Sequence, residues 1–241
     1  MTATEAGHRV LVVMPAYNEE TTIGLLLDEL SRLSGELDLD VLVVDAGSAD
    51  GTGIIARSKG AEVVESRKTI GYGAALRLGL QKAAETTADI VVTLDADGYY
   101  NVSDIPKLIL PILLDQADIV IGSRFLADQQ SRYAKPSPAM RLMNKLISWL
   151  LNSKLHLKLT DFGSGFRAFK KSVIPNLLRT KEDGHAFLTD SVLYMRESRI
   201  AEVPVRARPR NIRPDSYLGI AQVQNHLSDV KRIWPLSRSG K

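Results

Sequence analysis

Two aspartates separated by a single residue, Asp95 and Asp97, follow the apolar run Ile90 to Leu94 and precede Gly98. Carboxylates with that spacing at the end of a buried strand project together into the space beyond it. Two hard oxygen ligands on a short turn suit Mg2+ or Mn2+, which combine one or two carboxylates with phosphate oxygens and water. A cation held there bridges a diphosphate and neutralises the charge that develops when the diphosphate leaves. Alone, Asp-x-Asp is a weak signal, because turns use aspartate for local hydrogen bonding. Here two more polar clusters stand at the ends of apolar runs. Pro15-Ala16-Tyr17-Asn18-Glu19 follows Val10 to Met14, and Asp45-Ala46-Gly47-Ser48-Ala49-Asp50-Gly51 follows Val41 to Val44. Tyr17 can stack on a base, Glu19 can accept from a ribose hydroxyl or a base edge, and the Gly47-Ser48 turn lets backbone come close to a nucleoside.

The elements that must position these clusters read as an alternation of strand and helix. Short runs rich in Val and Ile, at Val10 to Met14, Val41 to Val44, Ala61 to Val64, Ile90 to Leu94 and Ile119 to Ile121, have the unbroken apolar character of buried parallel strands. Helix-like segments lie between them: Glu20 to Leu33, with Leu25, Leu26, Leu30 and Leu33 along one face, then Gly51 to Ser58, Ala74 to Ala84 and Val102 to Leu114. This order predicts one α/β domain over residues 1–241, a Rossmann-like and mostly parallel sheet flanked by helices. Ligands of such sheets gather at the carboxyl ends of the strands, where the three polar clusters fall. A dinucleotide fold would carry Gly-x-Gly-x-x-Gly directly after the first strand. That place holds Pro-Ala-Tyr-Asn-Glu, and Gly71-Tyr72-Gly73 follows the third strand, so NAD binding is not expected.

The second half is less regular. Phe125 to Pro138 is a polar loop with Arg132 and Lys135. Met140 to Leu159 sets Leu142, Leu146, Trp149 and Leu150 against Arg141, Lys145 and Lys154, an amphipathic helix that either packs on the sheet or lies in a membrane interface. A last apolar strand, Ile200 to Val205, precedes Arg206, Arg208, Arg210 and Arg213.

Composition narrows the chemistry. The chain has no cysteine, which removes disulfides, thiolate nucleophiles and cysteine-bound zinc, and four scattered histidines do not make a metal cage. A net charge of +3 is too mild to predict nucleic-acid binding, though it suits phosphate ligands or an anionic membrane face. The amino terminus lacks the apolar core of a signal peptide, and no apolar run approaches the ~18 residues of a membrane span. The expected location is therefore cytoplasmic, on the cytoplasmic face of a membrane at most.

Four motifs in order, Pro15-Ala-Tyr-Asn-Glu19, Val43-Val-Asp-Ala-Gly-Ser-Ala-Asp-Gly-Thr52, Gly71-Tyr-Gly-Ala-Ala-Leu-Arg-Leu-Gly79 and Leu94-Asp-Ala-Asp-Gly98, resemble the inverting family 2 glycosyltransferases of GT-A fold over nearly the whole chain. The resemblance implies a nucleotide-sugar donor held by Pro15, Tyr17, Glu19 and Asp45, and a divalent metal, Mg2+ or Mn2+, on Asp97 with Asp95 beside it. Residues 1–124 would be the nucleotide-sugar half and 125–241 the acceptor half, with the amphipathic helix near 140–159.

Later motifs look like the dolichol-phosphate mannosyltransferase, or polyprenyl-phosphate glycosyltransferase, branch: Gly122-Ser-Arg-Phe125, Arg141-Leu-Met-Asn-Lys145, Asp161-Phe-Gly-Ser-Gly-Phe-Arg167 and Ile200-Ala-Glu-Val-Pro204. A polyprenyl phosphate needs cations for its headgroup, which Arg124 and Arg141 can supply through charge-assisted hydrogen bonds. Arg167 either joins them or pairs with Asp161. Arg208 and Arg213 either belong to a solvated basic tail or close over the donor diphosphate. Phosphate monoesters have a second pKa near 6, so the attacking oxygen needs no general base. Asp190 falls where other members of the wider family carry an acidic residue used as a base. The alternatives are therefore transfer to a sugar or small-molecule hydroxyl with Asp190 taking the proton, or a non-catalytic nucleotide- or lipid-binding paralogue. Two departures leave the donor open: Ala46 stands where the family often has a second aspartate, and Tyr99 stands two beyond Asp97. GDP-mannose, a UDP-hexose and a UDP-N-acetylhexosamine all remain candidates, and the membrane contact is either direct or through a membrane-protein partner.

Overall fold

A computed structural model describes residues 7–35, 37–126 and 138–208. The chain runs β1 (Val10–Ala16), α1 (Ile23–Leu33), β2 (Leu39–Asp45), α2 (Thr52–Ser58), β3 (Glu62–Glu65), α3 (Tyr72–Glu85), β4 (Ile90–Thr93), α4 (Ile105–Leu113), β5 (Ile119–Ser123), α5 (Pro138–Leu155), β6 (Arg167–Lys170), α6 (Ile174–Leu177), α7 (Ala186–Met195) and β7 (Ile200–Pro204). The seven strands form one sheet in the order β3-β2-β1-β4-β6-β5-β7. Only β6 runs antiparallel to its neighbours β4 and β5, so the other six strands end at the same edge. This is the expected mostly parallel α/β sheet in a single domain.

Helices cover both faces, which is why β1 and β4 are buried throughout and apolar at every position but Thr93, whose hydroxyl donates to the Gly165 carbonyl at 2.7 Å. On one face Ile23, Leu26, Leu27 and Leu30 of α1 pack with Ala56 of α2 and with Ile105, Leu108, Ile109 and Ile112 of α4. On the other, Ala75, Leu76, Leu80 and Ala83 of α3 meet Ile147 and Leu151 of α5 and Phe187, Leu188, Val192 and Met195 of α7. Leu25, expected on the apolar face of α1, is instead exposed. The helix starts at Ile23, and at 100° per residue Leu25 points roughly 150° away from the centre of the stripe formed by Ile23, Leu26, Leu27 and Leu30.

The second half holds more order than its sequence announces. β6, α6 and α7 were not expected. β6 reads Arg-Ala-Phe-Lys, too short and too charged to resemble a central strand, yet it sits between β4 and β5 with Arg167, Ala168 and Phe169 buried. Helix α5 stops at Leu155, short of the expected Leu159, because His156 takes a left-handed φ of 56°. The Asn152 side chain then bonds both the N–H and the C=O of Leu159, at 2.9 and 2.8 Å, and turns the chain back.

Candidate active site

β1 lies between β2 and β4, so the loops that follow these three strands are neighbours at one edge. The first two are stitched together. The Asn18 amide donates to Ser48 Oγ at 2.9 Å, the Ala49 amide to Asn18 Oδ1 at 2.8 Å, and the Glu19 amide to Thr52 Oγ1 at 2.8 Å. Asn18 adopts φ 55°, a left-handed conformation that asparagine tolerates better than most residues. This stitching buries Pro15 and leaves Tyr17 exposed at the rim. Glu19 accepts the Thr22 hydroxyl at 2.6 Å. Asp45, buried at the end of β2, accepts the Ser48 amide at 2.8 Å, closing the turn that carries Gly47.

Asp95 and Asp97 follow β4, and both are partly exposed. Asp97 Oδ1 accepts the Tyr99 amide at 2.9 Å, an Asx turn that fixes the side chain on its loop. Asp95 Oδ1 accepts the hydroxyl of Tyr72, the first residue of α3, at 2.6 Å. Burial, reinforced by the Asp95 charge, lifts the Tyr72 phenol well above its usual pKa, so it remains a proton donor at any physiological pH. Among the described residues no group of three or more His, Cys, Asp or Glu side chains is placed to cage a metal. The donor set is two carboxylate-bearing residues on one turn. That fits a hard cation which takes its remaining ligands from a diphosphate and water, and does not fit a structural metal.

Across the sheet, Arg124 follows β5 and forms a bidentate pair with the fully buried Asp161: Nε to Oδ2 at 2.7 Å and Nη2 to Oδ1 at 2.8 Å. Its guanidinium lies 6.0 Å from the Tyr99 ring centroid and 5.7 Å from that of Phe125. Burial alone would lower the Arg124 pKa, but the Asp161 charge, its hydrogen bond and the neighbouring Tyr100 and Tyr99 together outweigh it and hold the group well above the usual value. Behind this pair, Glu202 of β7 accepts from the Thr160 amide, the Thr160 hydroxyl and the Asp161 amide at 2.8 to 2.9 Å. Burial raises the Glu202 pKa despite these bonds.

Other expected site residues lie elsewhere. Arg167 is 1% exposed, and its guanidinium donates to the carbonyls of Ser164 and Phe162, both at 2.7 Å, and to Ser191 Oγ at 3.1 Å. Burial pushes its pKa down to about 10. It is enclosed in the core, and the Asp161 carboxylate expected as one of its partners is held by Arg124. Arg208 pairs with Glu29 at 2.8 Å and donates to Asn101 at 3.1 Å. Its backbone N–H bonds the Tyr99 carbonyl at 2.7 Å, which brings the segment after β7 alongside the Asp97 loop. Asp190, inside α7, is buried and accepts the Thr180 hydroxyl. Arg141 is partly exposed on α5, and Arg213 lies outside the described residues.

Sequence reasoning missed Tyr72 as a partner of Asp95. The surrounding Gly-Tyr-Gly reads there as a misplaced dinucleotide motif and as the start of the third family motif, neither of which points to Asp95. The glycines serve packing: a Cβ at Gly71 would strike the Asp183 carbonyl oxygen, and one at Gly73 the carbonyl oxygen of Glu182. Asp183 O accepts the Gly73 and Ala74 amides at 2.8 and 3.2 Å, so the segment before α7 closes the amino end of α3.

Comparison with known proteins agrees with this geometry. The family model described as Glycosyl transferase family 2 matches residues 11–178. The chain is 32% identical over 215 residues to the undecaprenyl-phosphate mannosyltransferase of Micrococcus luteus, covering 82% of each chain. It is 30% identical over 223 residues to the UDP-N-acetylglucosamine--dolichyl-phosphate N-acetylglucosaminyltransferase of Methanococcus voltae, covering 82% of this chain and 84% of that one. Among solved structures, glucosyl-3-phosphoglycerate synthase from Mycobacterium tuberculosis, in complex with Mn2+, UDP and glucosyl-3-phosphoglycerate, superposes with a TM-score of 0.69. The two are 26% identical, with 95% of this chain and 82% of that one covered. The chain belongs to glycosyl transferase family 2: it is a glycosyltransferase whose relatives include the polyprenyl-phosphate branch that its later motifs resemble.

Proposed function

We propose that the protein transfers a sugar from a nucleotide sugar to a polyprenyl phosphate at a membrane surface, with a divalent cation on Asp95 and Asp97. The observation that carries this reading is the placement of the Asp95-Ala96-Asp97 turn beside the Tyr17 and Asp45 loops, with Arg124 at the end of β5 on the same edge of the sheet. Relatives named for dolichyl-phosphate and undecaprenyl-phosphate transfer support the acceptor, and the Mn2+ and UDP complex of a structural neighbour supports the cation. The donor sugar is left between a hexose and an N-acetylhexosamine.

Pro15 and Asp45 shape the nucleoside pocket, Tyr17 offers a ring for base stacking, and Glu19 an acceptor. The cation, when bound, stabilises the charge on the departing nucleoside diphosphate. Asp161 engages one N–H each on Nε and Nη2 of Arg124, so this pair leaves the Nη1 donors and the second Nη2 N–H for an acceptor phosphate. Arg141 extends the cationic surface along α5. A phosphate oxygen attacks the anomeric carbon, the bond from that carbon to the diphosphate oxygen breaks, and the configuration inverts. No proton needs removal from a dianionic phosphate. The chain's contribution is alignment and electrostatic stabilisation. The hydroxyl-acceptor alternative is weaker because Asp190, its base, is buried against Thr180.

Radiolabelled GDP- and UDP-sugars incubated with the protein, Mn2+ or Mg2+ and a polyprenyl phosphate, then extracted with organic solvent, test the reading. Label should enter the organic phase with one donor class. Label that stays aqueous with every donor would overturn the lipid acceptor.

A further inference from the structure

We infer that Tyr72, clamped by the ring of His185, is a positioning residue that fixes the Asp95 carboxylate, and that the 180–185 segment thereby sets the cation affinity of the opposite half of the chain. This rests on the metal role proposed for Asp95 and Asp97. Three contacts define the clamp. The Tyr72 hydroxyl donates to Asp95 Oδ1 at 2.6 Å. The Tyr72 and His185 rings stack with centroids 4.6 Å apart and planes 4° from parallel. Gly165 abuts the hydrogen bond itself: a Cβ there would collide with the Tyr72 hydroxyl and lie 2.8 and 3.0 Å from the two Asp95 carboxylate oxygens.

The segment bearing His185 is itself anchored to α3. Arg77 donates to the carbonyls of Thr180 and Glu182, at 3.3 and 3.1 Å, and pairs with the Asp183 carboxylate. Asp183 O caps the Gly73 and Ala74 amides. Asp190 accepts the Thr180 hydroxyl from within α7, which gives that buried acid a structural task. A tyrosine suits this position because a phenol is neutral. It orients one carboxylate oxygen without adding a cation that would compete with the metal, as a lysine there would. A carboxylate already fixed in orientation loses less rotamer freedom when a cation binds.

The test is a Mn2+ titration followed by the electron paramagnetic resonance signal of the free ion, in the presence of UDP or of GDP. It compares wild type, Tyr72→Phe, His185→Ala and Asp97→Ala. Tyr72→Phe keeps the stacked ring and removes the hydrogen bond, and should raise the half-saturating Mn2+ concentration on the order of tenfold. His185→Ala changes an exposed side chain, keeps the phenol and should shift it the same way by a smaller factor, about two- to fivefold. Thermal unfolding confirms that each variant is folded, and His185→Ala decides the matter if Tyr72→Phe is not. Unchanged half-saturation in a folded variant, with Asp97→Ala still impaired, would overturn the clamp and leave the metal site standing. No Mn2+ binding by wild type with either nucleotide would remove both.

Discussion

Asp97 and Asp161 stand at the same edge of one sheet and do opposite work. Asp161 is fully buried and saturated by the Arg124 fork, so it organises a cation. Asp97 is partly exposed and accepts the Tyr99 amide, which holds the side chain on its loop. Its exposure at the strand end supports the metal role proposed for Asp97. Asp97→Ala should therefore lower kcat/KM by on the order of 100- to 1,000-fold, about 3 to 4 kcal/mol of lost transition-state stabilisation. Its thermal unfolding should be close to wild type, since a half-exposed loop side chain supports little packing. Full activity in the folded variant, measured over a range of Mn2+ concentrations, would refute the assignment. The placement of Asp95, Asp97 and Asp45 at strand ends was legible in the sequence because each stands at the end of an apolar run. Arg167 was misread: a charged side chain in a glycine-rich stretch looks like a ligand, and nothing local shows that a strand will carry it into the core to bond two carbonyls.

At the scale of elements, α5 divides its residues cleanly. Ile147 and Leu151 face the core, whereas Leu142, Leu146 and Trp149 are 72%, 49% and 64% exposed. The exposed three recur at spacings of four and three, and so form one stripe along the helix. Arg141 and Lys145 share the same two turns. Among the described residues no helix is long and apolar enough to cross a membrane, but such a stripe beside cations is suited to lie in an anionic interface. The helix therefore packs one face on the sheet, as one of its two readings expected, and leaves the other face open for the membrane contact proposed above. Leu146→Glu combined with Trp149→Glu should abolish co-sedimentation with vesicles containing anionic phospholipid. It should cost under about 1 kcal/mol in urea unfolding, because neither side chain leaves the core. Transfer to a short-chain, water-soluble polyprenyl phosphate should persist. Undiminished vesicle binding by the double variant would place the membrane contact elsewhere. Of the elements not legible in the sequence, β6 and α6 have four residues each, and α7 is buried along most of its length without a one-sided apolar stripe, so their character comes from partners distant in sequence.

For the whole molecule, the first and second halves of the chain are tied where it returns from β7 across the start of α4. Ala207 bridges Tyr100, Arg206 O accepts the Asn101 amide, and the fully buried Asp104 gathers the Arg206 backbone N–H, the Arg206 guanidinium and Lys107. No sequence pattern announces this tie, because Asp104 reads as one polar residue at a helix start and Arg206 as the first of a basic run. Burial by itself would raise the Asp104 pKa, yet the hydrogen bonds from Arg206 and Lys107 prevail and leave it lowered. A carboxylate whose folded pKa lies below its unfolded value of 3.8 stabilises the fold fully above that value and loses the contribution as pH falls through the lowered one. Asp104→Asn should accordingly destabilise the protein by about 3 kcal/mol at pH 7, since it strands a partly buried arginine. The deficit should narrow as pH falls from about 4 toward 2, where wild type loses the same charge. Urea unfolding of both proteins across that range reads the difference directly. Parallel loss of stability in the two would mean that Asp104 is not the group whose protonation loosens the return strand, and the more exposed Asp115 and Asp118 pairs with Lys170 and Arg199 would then carry the acid transition.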